Sequence, residues 1–239
     1  MHTVSPWFWG SCLLRCQRLL DTGPGRIMHW PAAHYSVRYK VMKRALIFAC
    51  LLILMTAATA SARSDEEKGK AAVEALGGKV VYGEGKYAKN VVSVDLSETE
   101  VTDGDLRQML NFKNLQHLDV RLTKVGDPGT QYIGFLKNLR TLNMFRTDLS
   151  DAGLERLRKL DNLETLLIGG TKITDKGLKS IEKLSRLRKV SVFNTGVSDA
   201  GLKSFEKLNA LEVLLIGQSR ITEEVAKKAL PKVKFAEQT

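Results

Sequence analysis

The sequence predicts an α/β solenoid: a right-handed arc with a parallel sheet on its concave face and short helices on its convex face. Three rows of residues at a 24-residue spacing predict this fold class. The rows are Leu115, Leu139, Leu163, Leu187 and Leu211; Val120, Met144, Ile168, Val192 and Ile216; and Thr123, Thr147, Thr171, Thr195 and Ser219. A fixed period of this length is typical of solenoids, in which each unit contacts only its neighbours. The period runs without insertion or deletion over residues 90–235, so six repeats are expected.

Each repeat is expected to hold one strand and one short helix. In residues 162–185, Leu163, Leu166 and Ile168 follow the pattern L-x-x-L-x-L, and the last pair alternates as in a strand. A helix then begins at Thr174-Asp175, because either side chain can accept a hydrogen bond from the first-turn N–H groups. Strands stack about 4.8 Å apart and helices about 8–10 Å apart, so the stack bends with its strands inside.

The segment before the repeats has the pattern of a secretory signal peptide. Met42-Lys43-Arg44 is followed by an apolar run, Ala45–Met55, and by a stretch of small residues, Thr56–Ala62. We therefore expect Met42 to be the true start, residues 42–62 to be the signal peptide and residues 1–41 to be a misassigned extension. The alternative is an uncleaved membrane anchor with residues 1–41 as a cytoplasmic tail, since about 18 mostly apolar residues approach the spanning length. Both interpretations export the repeats, because the positive charge precedes the apolar run.

Composition changes once this segment is removed. The chain carries 37 Lys+Arg and 26 Asp+Glu, a net charge of +11. Seven of the basic residues and one of the acidic residues lie in residues 1–62. The remainder of the chain therefore has 30 basic and 25 acidic residues, a net charge of +5. Basic and acidic residues are mixed along the predicted helices, so a nucleic-acid partner is not expected. Cys12, Cys16 and Cys50 all precede residue 63, so the remaining domain has no disulfide and depends on its apolar core.

The second half of each repeat follows the pattern T-x-[IV]-[TS]-D-x-G-L. It is clearest in Thr147–Leu154, Thr171–Leu178 and Thr195–Leu202, and looser in Thr99–Leu106 and Thr123–Thr130. This pattern resembles the 24-residue class of the leucine-rich repeat family, and is similar to its cysteine-containing and bacterial effector-type repeats with Thr in place of Cys. The resemblance implies that each Thr hydroxyl bonds the loop backbone of the adjacent repeat. It also implies protein–protein interaction as the class of function.

Both ends depart from the period, as capping units do. Residues 63–89 are expected to form an N-terminal cap, with a helix over Asp65–Leu76 and a strand that begins at Val80. The repeat domain is expected over residues 90–235, with a tail at 236–239. Near its end Pro231 stops the last helix, and Val233 and Phe235 are placed at the start of a seventh strand.

Two groups of polar residues are candidates for chemistry, and both have a simpler explanation. The first group is Asp103, Asp127, Asp151, Asp175 and Asp199. We interpret these aspartates as helix caps and not as calcium ligands, because helices are too far apart for one ion to bridge them. The second is a triad of His117, Asp119 and Ser93. A flat sheet offers it no oxyanion donors, so no catalytic residue, metal or cofactor is predicted.

The concave face is the better candidate for a binding site. Its rows are His117, Thr141, Thr165, Lys189 and Val213; Asp119, Asn143, Leu167, Ser191 and Leu215; and Arg121, Phe145, Gly169, Phe193 and Gly217. Large apolar side chains facing solvent with arginine beside them are typical of protein-interaction hot spots. The predicted binding residues are Arg121, Phe145, Arg146, Leu167, Phe193 and Leu215. The alternative is that both phenylalanines are partly buried and alternate with Gly169 and Gly217 for space.

The sequence therefore predicts a non-catalytic, exported interaction module of the periplasm, cell envelope or extracellular space. Its expected partner is a protein, with a glycan as the second choice, and a membrane is contacted only through an uncleaved anchor. A substrate-recognition subunit of a ubiquitin ligase is the alternative, although no F-box pattern precedes the repeats. A hydrolase ranks third, because this fold does not readily form a pocket.

Overall fold

The computed structural model describes residues 65–236, which form one continuous solenoid unit. The expectations for residues 1–41, for the signal peptide at 42–62, for residues 63–64 of the cap and for the last three residues lie outside this range. The order of the sheet follows the chain from the first strand to the eighth, and the sheet is open. Within the described range, every helix is too short or too polar to cross a bilayer.

The sheet contains eight strands. They are β1 (Lys79–Tyr82), β2 (Val91–Asp95), β3 (His117–Asp119), β4 (Thr141–Asn143), β5 (Thr165–Leu167), β6 (Lys189–Ser191), β7 (Val213–Leu215) and β8 (Lys234–Ala236). Strands β2 to β8 are parallel, as predicted. The cap strand β1 instead runs antiparallel to β2, so a hairpin connection begins the sheet.

Short helices return the chain from one strand to the next. They are α1 (65–75), α2 (Asp127–Ile133), α3 (Asp151–Arg156), α4 (Asp175–Leu178), α5 (Leu202–Phe205) and α6 (Glu223–Ala229). Three further turns are 3₁₀ helices, at Gly85–Tyr87, Asp105–Asn111 and Asp199–Gly201. The cap helix is confirmed as α1, and Gly77 ends it with a left-handed φ of 82°.

The 24-residue period holds between the strands except at the last step. Leu142 of β4 pairs with Leu166 of β5, and the same offset joins every pair from β2 to β7. Between β7 and β8, however, Leu214 pairs with Phe235, an offset of 21 residues. The prediction that Phe235 continues the 24-residue phase is therefore wrong. The final unit is shorter because α6 ends at Ala229 and Leu230-Pro231 leads almost directly into β8.

The predicted leucine rows form the core between sheet and helices. On strands β2 to β7 the inward-facing residues in register are Val94, Leu118, Leu142, Leu166, Val190 and Leu214, all essentially inaccessible to solvent. Burial of a side chain of this size stabilises the fold by about 1.5–3 kcal/mol. No repeat can bury its own row alone, so the core exists only as the sum of stacked neighbours.

The aspartates do not cap their own helices, which corrects that expectation. Ser150, Thr174 and Ser198 are the caps, and each accepts a hydrogen bond from the N–H two residues later. The carboxylate of Asp127 accepts instead from the backbone N–H of Ser150 in the next repeat, at 2.7 Å, and from its hydroxyl. Asp151, Asp175 and Asp199 make the same pair of bonds to Thr174, Ser198 and Thr222. These aspartates link successive repeats, and we call each such contact an aspartate clamp.

The recurring position of glycine in the pattern D-x-G follows from this clamp. A Cβ atom built on Gly153 would lie 2.3 Å from Oδ1 of Asp127, and one on Gly177 would lie 2.3 Å from Oδ1 of Asp151. Non-bonded contacts of a Cβ atom are essentially never this short. Glycine is therefore needed where the carboxylate of the preceding repeat approaches the helix backbone.

The threonine row also acts differently from the expectation drawn from the family. Oγ1 of Thr147 donates to the carbonyl of Met144 at 2.8 Å, three residues earlier in the same repeat. Thr123, Thr171 and Thr195 make the equivalent bond at 2.6–2.7 Å. The hydroxyl thus closes the turn of its own repeat.

A left-handed backbone conformation recurs where each strand leaves the sheet. The residues and their φ angles are Glu98 (59°), Leu122 (56°), Arg146 (51°), Gly170 (68°), Asn194 (48°) and Gln218 (55°). Glycine and asparagine are the types that adopt this conformation at little cost, whereas other residues are strained by about 1–2 kcal/mol. The turn geometry therefore repeats although the residue type does not.

Opposite substitutions in this row should have opposite effects on stability. Gly170→Ala is expected to lower the free energy of unfolding by about 1–2 kcal/mol, because a Cβ is strained at this φ. Gln218→Gly is expected to raise it by up to about 1 kcal/mol, because the strain is removed. Urea unfolding of both variants measures the two effects. A loss of stability in both would contradict the strain argument.

Candidate interaction surface on the concave face

Two aromatic rings lie side by side on the concave face. The ring centroids of Phe145 and Phe193 are 6.3 Å apart, at an interplanar angle of 43°. Both side chains are half-buried. We call this pair, with Arg146 beside it, the aromatic ridge.

Glycines in the adjacent repeats make room for the two rings. A Cβ on Gly169 would lie 3.0 Å from Cδ2 of Phe145, and one on Gly217 would lie 3.1 Å from Cδ2 of Phe193. Each ring therefore packs over the glycine of the following repeat. The alternative noted from the sequence is confirmed: the phenylalanines alternate with glycine and are partly buried. A minor part of each side chain remains accessible to a partner.

Arg146 completes the ridge. Its guanidinium carbon lies 5.3 Å from the centroid of the Phe145 ring, a distance at which a cation is attracted to an aromatic face. Its backbone is left-handed, with a φ of 51°, at the point where the strand leaves the sheet. The ridge thus combines apolar area with one exposed positive charge.

The half of the concave face nearer the N-terminus is polar. Asp95, Asp119 and Asn143 each accept a hydrogen bond from the backbone N–H two residues later, at 2.9–3.1 Å. Nδ2 of Asn143 also donates to Oδ2 of Asp119 at 2.9 Å. These local bonds end the strands and fix the side chains in a row.

Burial, hydrogen bonds and neighbouring charges shift the pKa values of two groups in this polar half, Asp95 and His117. Burial raises the pKa of Asp95, but hydrogen bonds from Ser97 and the charge of Arg121 outweigh it, so the pKa is below its usual range. Burial lowers the pKa of His117, and the nearby Arg140 lowers it further against the opposing effect of Glu164. The imidazole of His117 is therefore mainly neutral at neutral pH.

A shallow recess of about 320 Å³ opens among these side chains, and Ser93, His117, Asp119 and Leu167 contribute to its wall. The carboxylate of Asp119 bonds Asn143 and the backbone of Arg121, and does not orient His117. The triad considered from the sequence therefore lacks the bond between carboxylate and imidazole that would hold the base. Within residues 65–236, no group of three His, Cys, Asp or Glu side chains could hold a metal ion.

The other predicted site residues differ in how far they are exposed to solvent and in whether they form ion pairs. Leu215 is buried, with 8% of its surface exposed, which corrects the prediction that it faces solvent. In the sheet Leu215 lies between Ser191 of β6 and Ala236 of β8. Leu167 is half-buried. Arg121 is drawn away from the ridge by ion pairs to Glu98 at 3.9 Å and Asp119 at 3.7 Å.

One exposed aromatic residue was missed because it lies outside the concave rows. Phe135 follows α2 on the helical side, and 69% of its surface is accessible to solvent. Its equivalents at the 24-residue spacing are Lys159, Lys183 and Lys207. The departure from lysine to phenylalanine is the signal in the sequence that could have found it.

Comparison with known proteins identifies the repeats. Residues 113–134, 135–157 and 159–181 match a family model described as Leucine Rich repeat. No curated protein matches this chain. Among solved structures, an internalin from Listeria monocytogenes is similar at 17% identity with a TM-score of 0.42, over 64% of this chain and 55% of that one. The chain thus spans little more than half the length of that structure.

Proposed function

This chain is a leucine-rich repeat protein, and we propose that it is an exported, non-catalytic module that binds another protein through the aromatic ridge of its concave face. The single observation that carries the proposal is the Phe145–Phe193 pair, held side by side with Arg146 against one ring. Leucine-rich repeats are generally interaction scaffolds and not enzymes, which supports the same conclusion.

The ridge has the composition and the rigidity of a binding hot spot. Aromatic and arginine side chains supply most of the energy in many interfaces. Packing against Gly169 and Gly217 holds the two rings in place before a partner arrives, so little side-chain entropy is lost on binding. Leu167, half-buried on the strand between the two rings, extends the apolar area.

Export rests on the signal-peptide pattern of residues 42–62 and on the positive charge that precedes its apolar run. Sequencing of the mature N-terminus tests it. A chain that begins near residue 63 supports export, whereas a soluble cytosolic chain that retains Met1 contradicts it.

Affinity capture from envelope extracts tests the binding proposal. We expect the double variant Phe145→Ala with Phe193→Ala to retain less than a tenth of the partner captured by the natural chain. Because both rings keep part of their surface exposed, each substitution should cost less than the roughly 3–5 kcal/mol typical of a fully buried phenylalanine. The captured partner should persist after enzymatic deglycosylation of the extract, which separates a protein ligand from a glycan.

Two further variants control this experiment. Arg146→Gly removes the cation and also relieves its left-handed backbone, so it should weaken capture without loss of stability. Phe135→Lys, on the helical side, should leave capture through the ridge unchanged. Equal capture by the natural chain and by the double phenylalanine variant would overturn the proposal.

A further inference from the structure

The helical side of the solenoid contains a recess beside an exposed aromatic ring. The recess lies between the segment that follows α2 and the end of α3, and its volume is about 500 Å³. Phe135 lines one wall, and Glu155, Arg156, Arg158 and Lys159 contribute to the other. Among the large apolar side chains described as exposed, Phe135 has the highest accessible fraction. An exposed aromatic residue in a recess is a common feature of binding sites.

The recess is strongly positive. Lys137, Arg156, Arg158 and Lys159 line it, against the single carboxylate of Glu155, which gives a local net charge of +3. That carboxylate is itself engaged, since it accepts a hydrogen bond from the hydroxyl of Ser180 at 2.6 Å and pairs with Arg158. The bond from Ser180 is the main cause that lowers the pKa of Glu155, so Glu155 remains ionised and still leaves three positive charges in excess.

Backbone carbonyls hold two of these cations in position without neutralising them. Nζ of Lys137 donates to the carbonyl of Gly134 at 2.9 Å and to that of Lys159 at 3.0 Å. The guanidinium of Arg156 donates to the carbonyl of Asp127. A carbonyl is a dipole and not a charge, so the positive potential over the recess persists.

The period shows that stacking of the repeats does not require these residues. Lysine replaces Phe135 in the next three repeats, and glutamate replaces Arg158 at 182 and 206. In the following repeat Glu182 pairs with Lys207 and accepts from Ser204, so its charge is balanced locally. The aromatic ring and the excess positive charge occur together at this one recess and are not needed for the fold.

We propose that this recess binds an acidic segment of a partner protein. A large apolar side chain of the segment would pack against Phe135, and neighbouring carboxylates would face the four cations. Charge complementarity selects the occupant. A peptide segment can enter a recess. A flat bilayer cannot, and would instead be contacted by side chains that protrude from a convex surface. This site lies on the opposite side of the sheet from the aromatic ridge and is independent of it.

Selection of peptides from a random display library of 12-residue sequences tests the inference. We expect the natural chain to enrich peptides in which Asp or Glu flanks a large apolar residue. Fluorescence anisotropy of labelled, enriched peptides should show at least a tenfold higher Kd for Phe135→Lys and for Lys159→Glu. The affinity should also fall as salt is raised from 50 to 500 mM, because exposed charges are screened.

The controls separate loss of the site from loss of the fold. Phe135→Lys installs the residue that the next three repeats carry, and Lys159→Glu changes an exposed side chain, so the melting temperature should not change in either. Phe145→Ala, in the ridge, should leave peptide binding intact. The inference is overturned if the enriched peptides are not acidic or if their binding depends on Phe145 and not on Phe135. It is also overturned if the chain ignores the peptides but sediments with vesicles containing 30% phosphatidylglycerol in a manner that depends on Phe135.

Discussion

Replacement of Phe112 by alanine is expected to lower the free energy of unfolding by about 3–5 kcal/mol, the usual cost of removing a fully buried phenylalanine. Phe112 is 1% exposed and belongs to the first repeat. Its ring lies against the cap helix α1, where a Cβ built on Gly69 would come within 2.9 Å of Cζ. The substitution therefore leaves a cavity at the junction between cap and repeats, and it should also release α1.

Urea unfolding of Phe112→Ala measures the cost, and hydrogen exchange over residues 65–75 reports release of the cap. Phe112→Leu is the matched control, because the equivalent positions in the next four repeats carry Leu136, Leu160, Leu184 and Leu208. Leucine keeps most of the volume, so we expect its cost to be about 1–1.5 kcal/mol. If alanine costs no more than leucine, the ring does not join the cap to the repeats.

The second large effect is expected at the aspartate clamp, where Gly153→Ala should destabilise the chain by about 2–3 kcal/mol. Two effects oppose each other at this position. Alanine is a better helix former than glycine by about 1 kcal/mol. However, the new Cβ would lie 2.3 Å from Oδ1 of Asp127 and 3.1 Å from its Cα. Since the backbone of Asp127 is held by the packed repeat and cannot retreat freely, the overlap outweighs the gain in helix propensity.

A double-mutant cycle with Asp127→Ala checks that the carboxylate is the cause. Asp127→Ala alone should cost about 1–3 kcal/mol, because the N–H of Ser150 loses its acceptor. The double variant should be more stable than the sum of the two losses predicts, by about 1 kcal/mol, since the missing carboxylate leaves space for the methyl group. Additive losses would show that Gly153 is required for another reason.

The period was sufficient to predict the strands and the core, because both depend on the spacing of apolar residues. Leu142 and Leu166, for example, are adjacent in the sheet and fully buried, as their place in the leucine pattern indicates. The roles of polar residues were less predictable. A capping residue and a clamp residue are both oxygen-bearing side chains at a helix start. Which N–H groups they reach, those of Ala152 or of Ser150 in these repeats, depends on how closely the next repeat stacks.

For the candidate site, too, the sequence predicted which residues share a face but not their packing. The sequence located Phe145 and Phe193 on the concave face and noted that Gly169 and Gly217 alternate with them. It did not decide how much of each ring is exposed, because exposure depends on neighbours in other strands. Leu215 was predicted to face solvent on the same reasoning and is buried.

The sequence by itself determined the architecture, since a repeat of fixed length with one apolar pattern can bury that pattern only by stacking parallel strands. It also predicted where function should be sought, at concave positions such as Phe145 where the repeats differ, whereas Phe135 on the helical side was recognised only from its exposure. Only the tertiary structure decided the last unit of 21 residues, the direction of β1 and the bonding of the aspartates and threonines. The first two depend on how the terminal units pack against the repeats. The bonding depends on distances between side chain and backbone, which are set by the closeness of stacking and not by spacing along the chain.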